Sequence, residues 1–359
     1  MKNEKNTNNK QGYARAVKVW LIVGLIMIFF QVIIGGVTRL TGSGLSITKW
    51  DIVTGTLPPL NADQWEEAFD LYKATPQYQK INEGMSMERF KFIFFWEYFH
   101  RLWARAMGFV FIIPFFIFWA RGMLDKPLMK RLGIVVLLAA VVASFGWIMV
   151  ASGLINRPWV NAYKLTLHLS LAFILYCYLL WTIFKTLNVP KEVIHSKVLK
   201  SSTLTILTIL VVQIILGGIN SGMRASMYYP TWPNMNGDII QSIILDRGNW
   251  TVENLVNYDD SSFMPALMQF IHRIVAYLLI VSGLWYFFKF MKAQLSNRFR
   301  GGLILWISVL ITQVLLGIFT VLFSIGKIPV SLGVLHQGGA LVLLSIILFL
   351  LYLQGKTNT

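Results

Sequence analysis

EYFHRLWARAMGFVFIIPFFIFW, residues 97–119, is the stretch that decides the fold. Beyond Arg105 it carries no charge through Ala120, and about 20 apolar residues are enough for a helix to cross roughly 30 Å of hydrocarbon. Its opening holds Glu97, His100 and Arg101, which are rare residue types at such a place. The stretch therefore predicts a transmembrane helix with a polar cluster near one end.

The whole chain has the composition of a membrane protein. Of its 359 residues 56% are hydrophobic, 14% aromatic and only 13% charged, and the mean hydropathy is +0.60, which argues against two soluble domains. Eight apolar stretches of spanning length are present. They lie near 17–37, 92–119, 132–153, 165–184, 202–219, 267–288, 302–324 and 331–353.

The net charge of +16 is distributed as a topological signal. If the N-terminus is cytoplasmic, the inner segments hold 18 of the 32 Lys and Arg but three of the 16 acidic residues. This is the positive-inside asymmetry, and it predicts that both termini are cytoplasmic. The basic residues are scattered between apolar stretches, so we expect no nucleic acid as a partner.

The N-terminal tail, residues 1–16, is rich in Asn and Lys and includes Glu4. It lacks the Arg- and Ser-rich pattern of a mitochondrial presequence and the pattern of a cleavable signal. We expect a multi-pass protein of a bacterial cytoplasmic (inner) membrane. A processed mitochondrial form stays open as the alternative.

An internal repeat divides the chain. QVIIGGV at 31–37 returns as QIILGGI at 213–219, EYFHR at 97–101 returns as QFIHR at 269–273, and His168 is matched by His336. We predict an all-α fold of two tandem, pseudo-symmetric four-helix bundles, residues 17–190 and 191–355. The paired glycines serve as markers of the repeat and are typical of close helix packing.

Two of the expected outer loops are long, 38–91 and 220–266. In the first, Asn61 is a helix-capping residue before an amphipathic segment at 62–73, which either covers a pocket between helices or lies in the membrane interface. In the second, residues 227–237 are rich in aromatic and turn residues and predict an ordered segment that rests on the helices.

Histidine is the expected ligand of any cofactor, because a single cysteine, Cys177, excludes an intramolecular disulfide and a site built on several thiolates. Four of the five histidines lie in even-numbered spans, roughly 8–14 Å below the outer boundary at about 1.5 Å per residue. His195 lies in an inner loop and needs no special role. Two imidazoles per repeat, from different helices, predict bis-histidine ligation of haem. The four histidines are His100, His168, His272 and His336.

Zinc or copper is the weaker alternative, because the second half offers no third ligand at matching depth. Arg101, Arg105 and Arg273 lie beside or one turn beyond a histidine, where a guanidinium is costly unless it is paired. Haem propionates would be suitable partners, and lipid phosphates are the alternative.

One difference between the halves points to chemistry. Glu97 is the only acidic residue that we place within a span, and its counterpart is Gln269. A carboxylate there either handles protons or forms a salt bridge with Arg101 at i+4. The simplest interpretation is that the first half performs a reaction with Glu97, whereas the second half holds a cofactor that does not react.

The motifs together resemble the haem A synthase family. These are EYFHR, QFIHR, the matched histidines, the Gln-x3-Gly-Gly pairs and GWIMVASG at 146–153, and the resemblance covers the chain from about residue 15. Some members carry cysteine pairs in their outer loops. This chain has none and resembles the cysteine-free branch of proteobacteria and mitochondria.

The resemblance implies an oxidoreductase that converts a ring methyl of haem O to the formyl group of haem A for terminal oxidases. It implies that His272 and His336 ligate a permanent haem b. It also implies that His100 and His168 ligate the substrate haem O, with Glu97 as the catalytic carboxylate. Arg101, Arg105 and Arg273 are the further expected haem-binding residues.

The expected partners are haem O, membrane lipids, the haem O synthase (a farnesyltransferase) and the assembly of cytochrome oxidase, and a homo-oligomer stays open. One alternative function is a diheme b-type cytochrome that exchanges electrons with quinone. Another is a haem transporter or insertion chaperone.

Overall fold

The computed structural model describes residues 12–48, 57–154, 157–192 and 196–355, and the described part is almost entirely helical. Eight of its helices are long and apolar enough to cross a membrane. His195 lies outside the described residues. In chain order the helices are α1 (Arg15–Leu40), α2 (Ala62–Lys73), α3 (Met87–Ala120), α4 (Lys126–Gly153), α5 (Ala162–Thr186), α6 (Lys197–Gly222), α7 (Ala225–Tyr228), α8 (Ser242–Leu245), α9 (Val252–Val256), α10 (Phe263–Met291), α11 (Asn297–Leu322) and α12 (Val330–Leu353).

The eight expected spans are confirmed as the eight long helices, and most of these helices extend further than the apolar stretch. The extension is clear at α3, which begins at Met87 rather than near 92 because Ser86 accepts a hydrogen bond from the backbone N–H of Arg89. Hydropathy detects the membrane-buried part of a helix, whereas the cap fixes its end. At α11 the helix ends at Leu322, two residues before the expected boundary.

The amphipathic segment of the first outer loop is a helix, as expected. Asn61 caps α2 by accepting a hydrogen bond from the N–H of Gln64 at 2.9 Å. The apolar face of α2 packs against the projecting first turns of α3, where Phe69 stacks on Phe90 with ring centroids 4.8 Å apart. This contact attaches α2 to α3, and a covering role for α2 stays a prediction.

The helices repeat their contacts from one half to the other. In the first half α1 packs on α3 and α5, and α4 packs on α5; in the second half α6 packs on α10 and α12, and α11 packs on α12. Across the middle, α1 packs on α12 and α6 packs on α5. Each of these pairs has its counterpart in the other half. The division into two bundles and the cytoplasmic placement of both termini stay predictions.

The outer loops of the two halves are also bound to each other. Arg157, before α5, forms a salt bridge of 2.9 Å with Asp259, which also accepts a hydrogen bond from Trp159 at 3.1 Å. The backbone N–H of Ala162 donates to the hydroxyl of Tyr258 at 2.7 Å. Burial raises the pKa of Asp259 and outweighs the opposing effect of Arg157.

The closest backbone approach between the halves depends on a glycine. A Cβ at Gly222 of α6 would lie 2.7 Å from the Cα of Ala162 and 2.6 Å from its Cβ, which is too close for a real contact. By contrast, a Cβ at Gly301 of α11 would meet open space. Gly222 therefore allows α6 to touch the start of α5.

We expect Gly222→Ala to lower the free energy of unfolding by about 1–3 kcal/mol, because the new methyl group must displace the backbone of α5. The measurement is the thermal midpoint of the purified protein in detergent. Gly301→Ala is the matched control and should leave the midpoint unchanged or slightly higher. Equal midpoints for the two variants would contradict the close contact.

Candidate haem site

Each of the four intramembrane histidines packs against a glycine of a neighbouring helix. A Cβ built on that glycine would lie 2.9–3.1 Å from the Cε1 of the imidazole, so a larger residue would force the ring to move. The same arrangement occurs four times, twice in each half. The pairs are Gly35 with His100, Gly146 with His168, Gly217 with His272 and Gly317 with His336.

The second glycine of each Gly-Gly pair has a different neighbour. A Cβ at Gly36 would lie 3.1 Å from Oε1 of Gln337 in α12, and a Cβ at Gly218 would lie 3.0 Å from Cγ2 of Thr166 in α5. Both contacts reach into the other half of the chain. The pair therefore has two purposes: the first glycine makes room for a histidine, and the second allows the halves to pack closely.

A glutamine one turn before the glycine holds the histidine in three of the four positions. The side-chain amide of Gln31 lies 3.2 Å from Nε2 of His100, and that of Gln213 lies 3.2 Å from Nε2 of His272. The amide of Gln313 donates to the backbone carbonyl of His336 at 2.9 Å.

The fourth position differs from the other three. Val142 takes the place of the glutamine, and its backbone carbonyl lies 3.0 Å from Nδ1 of His168. Because a carbonyl can only accept, Nδ1 of His168 carries the proton and Nε2 is left with its lone pair. A metal ion binds to such a lone pair.

The histidines form one pair in each half. His100 of α3 and His168 of α5 belong to the first half, and His272 of α10 and His336 of α12 belong to the second. Nδ1 of His272 and Nδ1 of His336 are buried and have no hydrogen-bond partner among the described residues. Within that part of the chain no group of three or more His, Cys, Asp or Glu side chains converges on one point. Each half thus provides two imidazoles from two different helices, as expected for bis-histidine ligation.

Glu97 is buried, with 3% of its surface exposed, and both of its carboxylate oxygens accept hydrogen bonds. Oε2 accepts from the N–H and the hydroxyl of Ser46, both at 2.7 Å, and from the N–H of Ile47 at 2.9 Å. Oε1 forms the expected i+4 salt bridge with Arg101 at 2.5 Å. Glu97 thus attaches the segment after α1 to the face of α3 that carries His100.

The second half attaches its outer loop without a carboxylate. The guanidinium of Arg273 donates to four carbonyl oxygens of that loop, at 2.7 Å from Thr231, 2.8 Å from Asn234 and 3.3 Å from both Tyr229 and Pro233. These bonds hold the expected ordered segment against α10.

Gln269 takes the place of Glu97 and donates to the carbonyl of Tyr229 at 2.9 Å. The Nε of Arg273 is buried with no partner among the described residues. Arg105 is half-buried on α3, one turn beyond Arg101. The structure thus pairs Glu97 with Arg101 on the helix of His100 and bonds Arg273 to the loop before α10, while the roles of the eight expected site residues stay predictions.

Comparison with known proteins shows the family of the chain. The family model of the cytochrome oxidase assembly proteins COX15-CtaA matches residues 18–348. The chain belongs to the haem A synthase family. A haem A synthase of Flavobacterium johnsoniae is 36% identical over 345 residues, which cover 95% of this chain and 98% of the relative.

Two further haem A synthases are similarly close. That of Nitrosospira multiformis is 38% identical over 340 residues, or 94% of this chain and 93% of the relative. That of Sinorhizobium medicae is 37% identical over 331 residues, or 92% and 87%. The resemblance noted in the motifs thus extends over nearly the full length of these members of the haem A synthase family.

The contacts of the glycines and glutamines with the histidines in this member of the family were not predicted from the sequence. The signal was present, because Gln-x3-Gly occurs a third time at Gln313 and Gly317, in the helix before His336. The fourth copy has Val142 in place of glutamine before Gly146. The contacts themselves could not be read from the spacing, since each pair joins two different helices.

We expect Arg273→Lys to loosen the outer loop of the second half, because an ammonium group is compact and cannot span four carbonyls. Hydrogen exchange of the amides in residues 227–238 should become roughly 10- to 100-fold faster, as expected for a loss of charge-assisted bonds of about 1.5–3 kcal/mol each. Arg298→Lys, at an exposed position in α11, is the control. Exchange at the wild-type rate would show that the four bonds do not hold the loop.

Proposed function

We propose that the protein is a haem A synthase, an oxidoreductase that converts a ring methyl of haem O to a formyl group. One observation carries the proposal: both histidine pairs lie against glycines in the same way, but among the described residues only the first pair has a buried carboxylate beside it. Relatives that are 36–38% identical to this chain are named haem A synthases. A protein that only transferred electrons would need no such difference.

We assign a resident haem b to His272 and His336. The residues fit such a group, because Nδ1 of each ring is buried and has no partner among the described residues. A bound haem b would supply one-electron redox chemistry. Gln213 and Gly217 would fix the orientation of the His272 ring, and Gln313 would fix the backbone at His336.

We assign the substrate haem O to His100 and His168. The carbonyl of Val142 orients His168 with its Nε2 available as a ligand, and Gly35 and Gly146 bring both rings against their neighbouring helices. Arg101, Arg105 and Arg273 are the proposed partners of propionate groups, and the buried Nε of Arg273 is a donor that still lacks an acceptor.

Glu97 is the proposed catalytic carboxylate. Its side chain lies three residues from His100 on the same face of α3 and is held by four donors, so its position is fixed before the substrate binds. A fixed negative group in a dry site stabilises positive charge as the methyl group is oxidised, and it can accept a proton that is released.

We place the protein in the inner membrane of a bacterium, with both termini in the cytoplasm. The eight apolar helices and the asymmetry of Lys and Arg support this placement. Within cytochrome oxidase assembly, haem O would come from a farnesyltransferase, and haem A would pass to a terminal oxidase.

The test of this function is the haem content after co-expression with a source of haem O, with the extracted pigments separated by type. We expect haem A together with haem b, and we expect His272→Ala or His336→Ala to remove the haem b signal. Haem b alone, in spite of supplied haem O, would favour the diheme cytochrome. Loss of haem b only in His100 or His168 variants would invert the assignment of the two halves.

We expect Glu97→Gln to retain haem binding and to slow haem A formation by roughly 100-fold or more, which is the usual contribution of an acid–base group. Ser46→Ala is the matched control, because it removes one donor to Glu97 but keeps the carboxylate. It should keep most of the activity. Equal losses in the two variants would mean that Glu97 acts only by attaching the loop.

A further inference from the structure

The two halves differ in how their second and third long helices meet. In the second half α10 and α11 pack along each other, whereas the backbones of their counterparts α3 and α4 come close at almost no point. All four helices are described from end to end. In the most apolar 18 residues of each helix, 22% are buried in α10 and in α11, but only 6% in α4 and 0% in α3. The first half is therefore open toward the membrane between α3 and α4.

Two large residues close the corresponding place in the second half. Leu310 and Trp306 of α11 lie against Gly283 of α10, where a Cβ would come within 2.7 Å of Leu310 and 2.9 Å of Trp306. Alignment of Gly146 with Gly317 places Ala139 at the position of Leu310. Leu310 is 2% exposed, whereas Ala139 is exposed. The counterpart of Gly283 in α3 is Phe111, so in the first half the large residue of this pair lies on α3 and the small one, Ala139, lies on α4.

The small residues of the first half form a strip that starts at the histidines. On α3, Ala104 and Gly108 follow His100 at i+4 and i+8, and a Cβ at Gly108 would meet open space. On α4, Ala143 and Ala139 precede Gly146, the neighbour of His168, at i−3 and i−7. From His100 to Gly108 the strip extends about 12 Å, at about 1.5 Å per residue.

The second half has larger residues at most of these positions. Ile280 corresponds to Gly108, Val314 to Ala143 and Leu310 to Ala139. Only Ala104 has a small counterpart, Ala276. The lost volume is therefore confined to the side of the histidine pair that faces the gap between α3 and α4.

Aromatic residues close the strip at its inner end. Phe111 and Phe115 of α3 pack against the buried cluster that contains Val135 of α4, and Phe111 lies 5.1 Å from the ring of Trp20. The opening is consequently a cleft with a closed inner end. Its walls are apolar, and its small residues begin one turn from His100 on α3 and one turn from Gly146, the neighbour of His168, on α4.

We propose that the cleft between α3 and α4 binds the isoprenoid tail of the haem substrate and admits this substrate sideways from the membrane, an inference that rests on the proposed function. A hydrocarbon tail is stable in the bilayer and would be costly to pass through the polar outer loops. A resident haem without such a tail needs no cleft, and the half assigned to it is closed.

The experiment replaces two small residues of the first half with their counterparts from the second half. The double variant Ala139→Leu/Ala143→Val fills the cleft, and Ala140→Ile is the matched control, because its counterpart Ile311 faces outward with 45% exposure. Each full-length protein, with its resident haem retained, is reconstituted in lipid nanodiscs. The absorbance is then titrated with haem O and with haem b, which has no tail.

We expect the double variant to bind haem O at least tenfold more weakly and to bind added haem b with no more than a twofold change. The control variant should match the wild type with both ligands. Unchanged haem O binding in the double variant would overturn the proposal. An equal loss of both ligands would also overturn it, since the macrocycle site itself would then be damaged.

Two features separate this test from a test of the function. The amount of resident haem b reports whether the variant folds, and the titration requires no turnover. If the wild type binds haem O through the cleft but forms no haem A, the proposed function fails and the cleft stands. If haem A is formed at the wild-type KM by the filled variant, the cleft proposal fails and the function stands.

Discussion

The contact between a histidine ring and a bare helix backbone is the constraint on which the rest of the structure depends. An imidazole inside a membrane is costly unless its nitrogens have partners, and its ring must also be fixed if it is to hold a metal. Glycine removes the Cβ that would otherwise meet Cε1, so this edge of the ring lies close to the neighbouring helix. Because this happens four times, each long helix of the core either carries a histidine or provides the glycine beside one.

This constraint explains why the halves can be alike in architecture and different in chemistry. The glycines and histidines fix two equivalent positions for a planar group, and they leave the surroundings free to vary. The first half varies in a carboxylate at the outer end, Glu97, and in the small residues beside the cleft. The second half replaces these features with Gln269 and with a closed contact around Gly283. On the proposed assignment, the duplicated arrangement provides one site for a resident haem and one for a haem that is released.

The sequence predicted the parts of this fold that depend on periodicity and composition. Eight spans, the cap at Asn61 and the unmatched Glu97 could be read from single stretches, because hydrophobic length, capping and a buried charge are local signals. The hydrogen-bond partners of Glu97 could not be predicted from the sequence. Ser46 and Ile47 lie some 50 residues away in a loop without a recognisable motif, and only the folded chain brings them to α3. The cleft was hidden for a similar reason, since small residues in a span are as typical of tight packing as of a gap.

The two halves compensate the charge of an arginine in different ways. This difference affects how firmly each half would hold an anionic ligand. Arg101 is paired with Glu97, so this pair is formally neutral, whereas the carbonyls around Arg273 compensate its charge only as dipoles. Haem propionates carry negative charge and would gain more from the uncompensated guanidinium of the second half. Glu97, the proposed catalytic carboxylate, would therefore also weaken the attraction of the first half for an anionic ligand. A site that must release its product benefits from that weakening, and a site that keeps its cofactor does not.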